Sequence, residues 1–289
     1  HKIKLIGPNC LGVFNAANGM DTLFLPRSRL GRPKAGGISF ICQSGAVGSA
    51  ILDLASFEGY GFAKFASYGN ATVIDESDLL DYFGNDHDTK VICMYLEGVK
   101  DGRKFLETAQ RISKKKPIIA IKGGLTEKGN RAALSHTGSL GGDAAIYKGV
   151  FKQANIIRAE DLEDLFTYAK ILEKCQPPQG KRVQIITNGG GYGIITTDEV
   201  VIQGLEMAEM REETKRKLRK HFPDIVIVKN PMDLLGDTTS ERYKLAIDAA
   251  LRDRNVDMII VVVLMQTPLL GTDVVDAIIE LNKESTKPI

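Results

Sequence analysis

One histidine sits in Leu134-Ser135-His136-Thr137-Gly138-Ser139-Leu140-Gly141-Gly142, a stretch of mostly small residues that is ill suited to burying an imidazole. Glycines and hydroxyls let backbone N–H groups approach an anion closely, so the loop suits an imidazole that accepts a phosphoryl group and passes it on. None of the other histidines has a loop built around it. His1 is terminal, His87 sits in the turn-rich Gly84-Asn85-Asp86-His87-Asp88, and His221 follows a Lys/Arg-rich helix. General base, metal ligand and phosphoryl carrier all use imidazole at near-neutral pKa. No second histidine or cysteine stands at ligand spacing, which removes the metal reading first. A Gly-rich connector whose histidine only hydrogen-bonds to backbone is the other reading that these residues allow.

The elements that must position such a loop follow one wiring plan, used twice. Gly37-Ile38-Ser39-Phe40-Ile41-Cys42 is an apolar run ending in Gln43-Ser44-Gly45-Ala46-Val47-Gly48, after which apolar positions recur at helical spacing through Leu54. That is strand, tight turn, helix. Further strands are predicted at 61–67, 91–96 and 117–121, with amphipathic helices around 75–83, 104–113 and 161–172. Residues 173–180, Glu-Lys-Cys-Gln-Pro-Pro-Gln-Gly, read as a linker. The plan then restarts with a strand at 183–187, the Gly-rich turn Asn188-Gly189-Gly190-Gly191-Tyr192-Gly193, a helix at 194–203, a short strand at 205–210 and a long buried one at 256–265. Lys287-Pro288-Ile289 matches Lys116-Pro117-Ile118, which opens a strand in the first copy. Buried strands alternating with helices imply an α/β chain with doubly wound parallel sheets. A chain that stops where a core strand begins, and opens on the strand-like Ile3-Lys4-Leu5-Ile6, is expected to be part of a longer polypeptide.

Both copies place a Gly-rich turn between the first strand and the first helix. A helix start offers unpaired N–H groups and the positive end of the macrodipole, and in doubly wound sheets ligands gather at the carboxyl ends of the strands. A glycine at such a junction can also be purely steric. Together with the His136 loop, the turns suggest a phosphate held between two helix starts.

Composition narrows the class. With 289 residues, 43% hydrophobic and 26% charged, the chain reads as ordinary globular protein, about two domains at roughly 150 residues each. A net charge of +2 argues against a nucleic-acid partner, and the basic runs at 114–116 and 215–220 read as solvated helix faces. Cys10, Cys42, Cys93 and Cys175 are dispersed without CxxC spacing, which points to reduced thiols in a cytoplasmic compartment. No signal peptide and no apolar run long enough for a membrane is seen.

Leu5-Ile6-Gly7-Pro8-Asn9-Cys10-Leu11-Gly12, Gln43-Ser44-Gly45-Ala46-Val47-Gly48, Ser135-His136-Thr137-Gly138-Ser139, Asn188-Gly189-Gly190-Gly191 and Asn230-Pro231-Met232-Asp233-Leu234 occur in the order seen in ADP-forming (NDP-forming) acyl-CoA synthetases, the acetate:CoA ligase relatives of succinyl-CoA synthetase. The resemblance covers essentially the whole chain. It implies that 1–30 is the tail of a CoA-binding Rossmann-like domain, 31–172 a flavodoxin-like domain bearing the phosphohistidine, and 181–289 most of a second flavodoxin-like domain. It also implies that His136 is the phosphorylated carrier between acyl-CoA with phosphate and ADP with ATP. Glu97, in Tyr95-Leu96-Glu97-Gly98, matches the glutamate that contacts the histidine, where a carboxylate orients the ring and stabilises the cation. The turns Gln43-Ser44-Gly45-Ala46 and Asn188-Gly189-Gly190-Gly191 match the helix starts that hold the phosphohistidine. Asn9 and, in Ser67-Tyr68-Gly69-Asn70, Gly69 and Asn70 match positions near the thioester. CoA, ADP or ATP and phosphate are the implied ligands. Mg²⁺ would bind ATP-grasp domains outside this chain, as partner domains or a partner subunit, in an oligomer. Cys10 reads as a small buried thiol and Asp233 as a turn cap. Two other classes stand beside this one: a regulatory ligase-like module of a protein lysine acetyltransferase, and a flavodoxin-like FMN binder suggested by fold alone.

Overall fold

Residues 38–42 are wholly buried, and the strand that contains them, β3 (Lys34–Cys42), lies at the centre of the first sheet. In the computed structural model, which describes residues 3–126, 128–129 and 144–289, β3 pairs in parallel with β4 (Gly61–Ser67) and β5 (Val91–Leu96). Two more parallel strands, β6 (Ile118–Lys122) and β7 (Ile157–Arg158), continue outward from β5. On the other flank β1 (Val13–Asn15) pairs antiparallel with β4, and β2 (Met20–Asp21) with β1, giving the order β2-β1-β4-β3-β5-β6-β7. Parallel neighbours require crossovers, supplied here by α1 (Gly45–Glu58), α2 (Glu76–Asn85), α3 (Gly102–Ile112), α4 (Ala144–Gln153) and α5 (Leu162–Lys174).

The period-2 alternation of the strands sorts these helices onto two faces. Phe40 and Cys93 join Ile51, Leu52 and Ala55 of α1 and Leu165, Phe166 and Ala169 of α5. Their neighbours Ile41 and Ile92 join Leu80 of α2, Phe105 and Ala109 of α3, and Phe151 of α4. Each of the larger side chains among these, Leu, Ile or Phe, contributes roughly 1.5–3 kcal/mol. The sheet is therefore strongly held, and its carboxyl edge is a fixed platform for whatever chemistry the loops bring.

The second unit, Cys175–Ile289, repeats the plan around β8 (Arg182–Thr187), which is followed by α6 (Gly190–Ile202). One flank of β8 carries β11 (Met258–Val262). The other carries two short strands in line, β9 (Glu206–Met207) against the start of β8 and β10 (Met232–Asp233) against its end. The Asn230 side chain fills the gap between them: its Oδ1 accepts from Ile185 N–H at 3.0 Å, and its Nδ2 donates to the carbonyls of Val183 at 2.7 Å and Ala208 at 2.9 Å. One amide thus stands in for a missing strand residue. Three further helices, α7 (Glu212–Arg219), α8 (Ser240–Arg252) and α9 (Asp273–Glu284), complete the unit. Leu218, Tyr243, Ile247 and Val274 bury their faces in its main core.

The repeat visible in the sequence has a hydrogen-bonded counterpart. Ile92 of β5 donates its N–H to the Pro117 carbonyl at 3.0 Å, and Ile259 of β11 donates to the Pro288 carbonyl at the same distance. Two expectations change, and one element was not foreseen. Residues 3–6 form no strand; instead the chain bonds to the loop after β4 through Ile74 N–H to Leu5 O and Thr72 N–H to Gly7 O, both at 3.1 Å. The edge hairpin β1–β2, turning at Gly19 with φ +76°, was too short for periodicity to reveal. The glycines at 190–193 belong to the first turn of α6 instead of preceding it. Residues 3–30, read as the tail of a CoA-binding domain, lie in the first unit, His1–Lys174. Among the described residues no helix is long and apolar enough to cross a membrane.

Candidate functional site

The carboxyl ends of β3, β4 and β5 meet at Gln43. Its side-chain Oε1 accepts from the N–H groups of Glu97 at 2.7 Å and Gly98 at 3.0 Å, and from the Tyr68 hydroxyl at 3.2 Å. A single buried carbonyl therefore fixes the backbone just beyond β5 against the end of β3. Ser44 then caps α1, its hydroxyl accepting from Val47 N–H at 3.3 Å. That cap serves one orphan donor and leaves the N–H groups of Gly45 and Ala46 without an intrahelical acceptor, at the positive end of the helix. A Cβ on Gly45 would meet nothing closer than 3.8 Å, so the turn is open as well as polar. Cys42, fully buried before it, has its thiol pushed well up by desolvation and is no nucleophile.

Glu97 follows β5 and is 7% exposed, with its Oε2 buried and without a hydrogen-bond partner among the described residues. An unsatisfied buried carboxylate oxygen is costly, on the order of 1–3 kcal/mol or more. Around it stand Tyr95, whose phenol is pushed up to about 12 by burial and by the Glu97 charge, and Lys122 at the end of β6. Burial lowers the Lys122 pKa while the charge of Glu97 opposes that shift. The Lys122 Nζ donates to the Gly123 carbonyl and lies 4.5 Å from the Tyr147 ring centre. Tyr147 is in the first turn of α4.

The residues matched to a thioester site are also brought together. Asn9 Nδ2 lies 3.3 Å from Asn70 Oδ1, and Asn70 N–H donates to the Pro8 carbonyl at 3.0 Å. Gly69 has φ +53°, and a Cβ there would fall 2.1 Å from the Asn9 carbonyl oxygen, so only glycine fits this crossing. The Lys100 ammonium braces the loop by donating to the carbonyls of Asn70 and Ala71, each at 2.8 Å. Neither Lys100 nor Lys122 was singled out from sequence. The signal for Lys122 is a cation closing the apolar run Ile118-Ile119-Ala120-Ile121 just ahead of two glycines. His136, Gly138 and the rest of that loop lie outside the described residues.

In the second unit Asn188 takes the place of Gln43. Its Oδ1 accepts from Leu264 N–H at 2.8 Å and lies 2.9 Å from the Tyr243 hydroxyl, while its Nδ2 donates to Leu264 O at 3.2 Å and Thr267 Oγ1 at 3.1 Å. Gly189 is the N-cap of α6 and brings no side-chain cap. A Cβ on Gly190 would lie 2.8 Å from Asp233 Oδ2, whereas one on Gly191 would meet nothing within 4 Å. This helix start already faces a carboxylate. Asp233 also accepts from Leu235 N–H at 2.9 Å, in the manner of an Asx turn. Among the described residues no group of three metal-ligating side chains is placed to hold an ion.

Comparison with known proteins follows the same division. Residues 35–172 match the family described as a succinyl-CoA ligase like flavodoxin domain, and 183–282 match a Ligase-CoA domain. The chain is 39% identical over 292 residues to the alpha subunit of ADP-forming acetate–CoA ligase II of Pyrococcus furiosus, a match covering 99% of this chain and 62% of that one. It is 44% identical over 241 residues to the ADP-forming acetate–CoA ligase of Methanocaldococcus jannaschii, covering 83% of this chain and 34% of the relative. Among solved structures, the dinucleotide forming acetyl-coenzyme A synthetase 1 of Ca. Korarchaeum cryptofilum in complex with phosphate and ADP superposes with a TM-score of 0.88 at 38% identity, over 99% of this chain and 62% of that one. The chain thus spans less than two thirds of these relatives.

Proposed function

The chain belongs to the ADP-forming acyl-CoA synthetases, the succinyl-CoA ligase relatives, and on that premise we propose that it carries the phosphoryl-transfer half of such an enzyme. The reaction interconverts acyl-CoA, ADP and phosphate with the free acid, ATP and CoA. Phosphate attacks the thioester carbonyl, CoA leaves as the thiol, and acyl phosphate results. An imidazole nitrogen of His136 then attacks phosphorus and the carboxylate leaves; ADP finally takes the phosphoryl group and frees the imidazole. Two easier transfers replace one difficult one.

The observation that carries this reading is Glu97, whose backbone N–H is held by the Gln43 side chain at a strand's end and whose carboxylate is buried with one unpartnered oxygen. A group so placed can accept the N–H of an imidazole, orient the ring and offset the positive charge that phosphorylation creates. Gln43 contributes by fixing the Glu97 backbone. The N–H groups after Ser44, at Gly45 and Ala46, are the donors offered to the phosphoryl oxygens, with Asn188 and Gly189 to Gly191 forming a second helix start of the same kind. Asn9, Gly69 and Asn70, braced by Lys100, form the site for the thioester carbonyl and phosphate. CoA would be held mainly by the rest of the CoA-binding domain, and nucleotide and Mg²⁺ by ATP-grasp domains or a partner subunit, all of them parts of the enzyme beyond this chain. The relatives reported above are ligases by name, which gives an acetyltransferase-linked regulatory module no support. The test is direct: the complete enzyme, incubated with labelled ATP and Mg²⁺, should acquire acid-labile, base-stable label that His136→Ala abolishes together with acyl-CoA synthesis. Label or synthesis surviving that change would overturn the reading.

A further inference from the structure

Lys122 is a charge without an evident structural task. Its strand is otherwise apolar, its register partner on β5 is Leu96, one residue before Glu97, and the side chain is 4% exposed. Among the described residues its ammonium touches only the Gly123 carbonyl and the face of Tyr147. An ammonium has three protons to donate, so this site uses only part of that capacity. Burying such a group without a paired carboxylate is costly, and an apolar residue of similar length would avoid that cost. Glu97, across the same strand ends, has the complementary defect of a buried oxygen without a donor. The other groups around this pair are Cys42 at the end of β3, Tyr68 after β4, Tyr95 on β5 and Tyr147 on α4, all with proton affinities raised by burial and therefore neutral. Glu76 on α2 adds no cation either.

We propose that Lys122 is a positioning residue for phosphoryl transfer: its buried ammonium, anchored between the end of β6 and the first turn of α4, supplies the positive charge against which the Glu97 carboxylate is held. The inference rests on the reading that Glu97 orients His136. It adds that the orienting group is a coupled pair, and that the cation-π contact ties the pair to the helix following the histidine-bearing segment. The pair forms no direct ion pair, which leaves the free Glu97 oxygen available to an imidazole.

The test measures the rate of phosphohistidine formation in the complete enzyme, with ATP and Mg²⁺ as the probe, for wild type, Lys122→Met, Lys122→Arg, Glu97→Gln and the double variant Glu97→Gln/Lys122→Met. Lys122→Met should slow labelling roughly 10–100-fold, the scale seen when an outer partner of a functional side chain is lost. Its melting temperature should be unchanged or higher, because a buried unpaired charge has gone. Lys122→Arg should restore most of the rate. If Lys122 acts through Glu97, the double variant should be no slower than Glu97→Gln alone. An undiminished rate in Lys122→Met would overturn the proposal while leaving the role of His136 intact. So would multiplying losses in the double variant, or a loss that merely tracks a lowered melting temperature in both Lys122→Met and Lys122→Arg. A wild-type enzyme that never labels His136 would remove the underlying reading, and this proposal with it.

Discussion

The two units end their central strands in the same way and put opposite chemistry there. In the first, Gln43 accepts from the backbone beyond β5 and from a tyrosine; in the second, Asn188 accepts from the backbone beyond β11 and from a tyrosine. Counting from Ile92 and Ile259, which make corresponding bonds to Pro117 and Pro288, Glu97 falls opposite Leu264. The first unit therefore presents a buried carboxylate where the second presents an isobutyl group, whose Cδ1 lies 2.7 Å from where a Cβ on Gly189 would sit. Around Asn188 every partner is satisfied and none titrates near neutrality. Around Gln43 lie a carboxylate with one oxygen unpartnered among the described residues, a buried ammonium and phenols whose proton affinity is raised. The strand–amide–helix junction is thus common to both copies, and the buried carboxylate and ammonium are additions to one of them.

The strongest way to break that comparison is to give the first unit the residue of the second. Glu97→Leu should abolish phosphohistidine formation in the complete enzyme, and the milder Glu97→Gln should slow it on the order of 10²–10⁴-fold. Thermal melting should show little loss in either, since a buried carboxylate oxygen without a donor is removed. Labelling at the wild-type rate in Glu97→Gln would return Glu97 to a structural role and erase the difference between the units.

The converse change probes the second unit. Asn188→Ala would take the acceptor from the part-buried Leu264 N–H, while the Thr267 hydroxyl keeps the Leu264 carbonyl and the Tyr243 hydroxyl that of Val262. One donor left unpaired costs about 1–3 kcal/mol, and unfolding of the second unit in urea should shift by about that amount. Phosphoryl transfer per folded molecule should suffer less than in Glu97→Gln. A stability change within about 0.5 kcal/mol, the range of ordinary surface substitutions, would show that the amide is not the clamp described here.

How this contrast was encoded differs for its two halves. The strands at 61–67 and 91–96 are found with the bounds that apolar patterning gives, because a doubly buried strand writes itself as a continuous apolar run. The repeat was legible in Lys-Pro-Ile at 116–118 and 287–289, where proline fixes the chain ahead of a sheet bond. The short strand expected at 205–210 contains β9, whereas β10 was hidden, because two residues have no period and the group bridging it to β9 is the side chain of Asn230. The start of α6 was misplaced, because glycine's poor helix propensity reads as a turn, although a first turn makes few of the hydrogen bonds that glycine weakens. Glu97 entered through family resemblance; its residue type alone could not separate it from a solvated strand end. Lys122 was missed because periodicity shows that a position faces inward but not that a cation there lacks a partner.

The smallest effect separates the two units by pH. In the first, Glu76 opens α2 with its Oε1 buried and unpartnered, and desolvation, aided by Asp75, raises its pKa to about 7. The folded value lies above the ordinary 4.5, so the native state binds the proton more tightly and ionisation opposes folding. Stability should fall as pH rises from the unfolded value and level off above about 7. In the second, Asp257 is held by Arg182 through two contacts of 2.8 Å, which lower its pKa to about 2. Its contribution is fully present above the unfolded value and is lost only as pH falls through about 2. Glu76→Gln should therefore stabilise the first unit by about 1–3 kcal/mol at pH 8 and by less at pH 5, whereas the second unit should change little across that window. Urea titrations of wild type and Glu76→Gln at the two pH values check the sign. A gap that narrows with rising pH would mean that Glu76 has found a cationic partner, and that unpaired buried charge does not distinguish the first unit from the second.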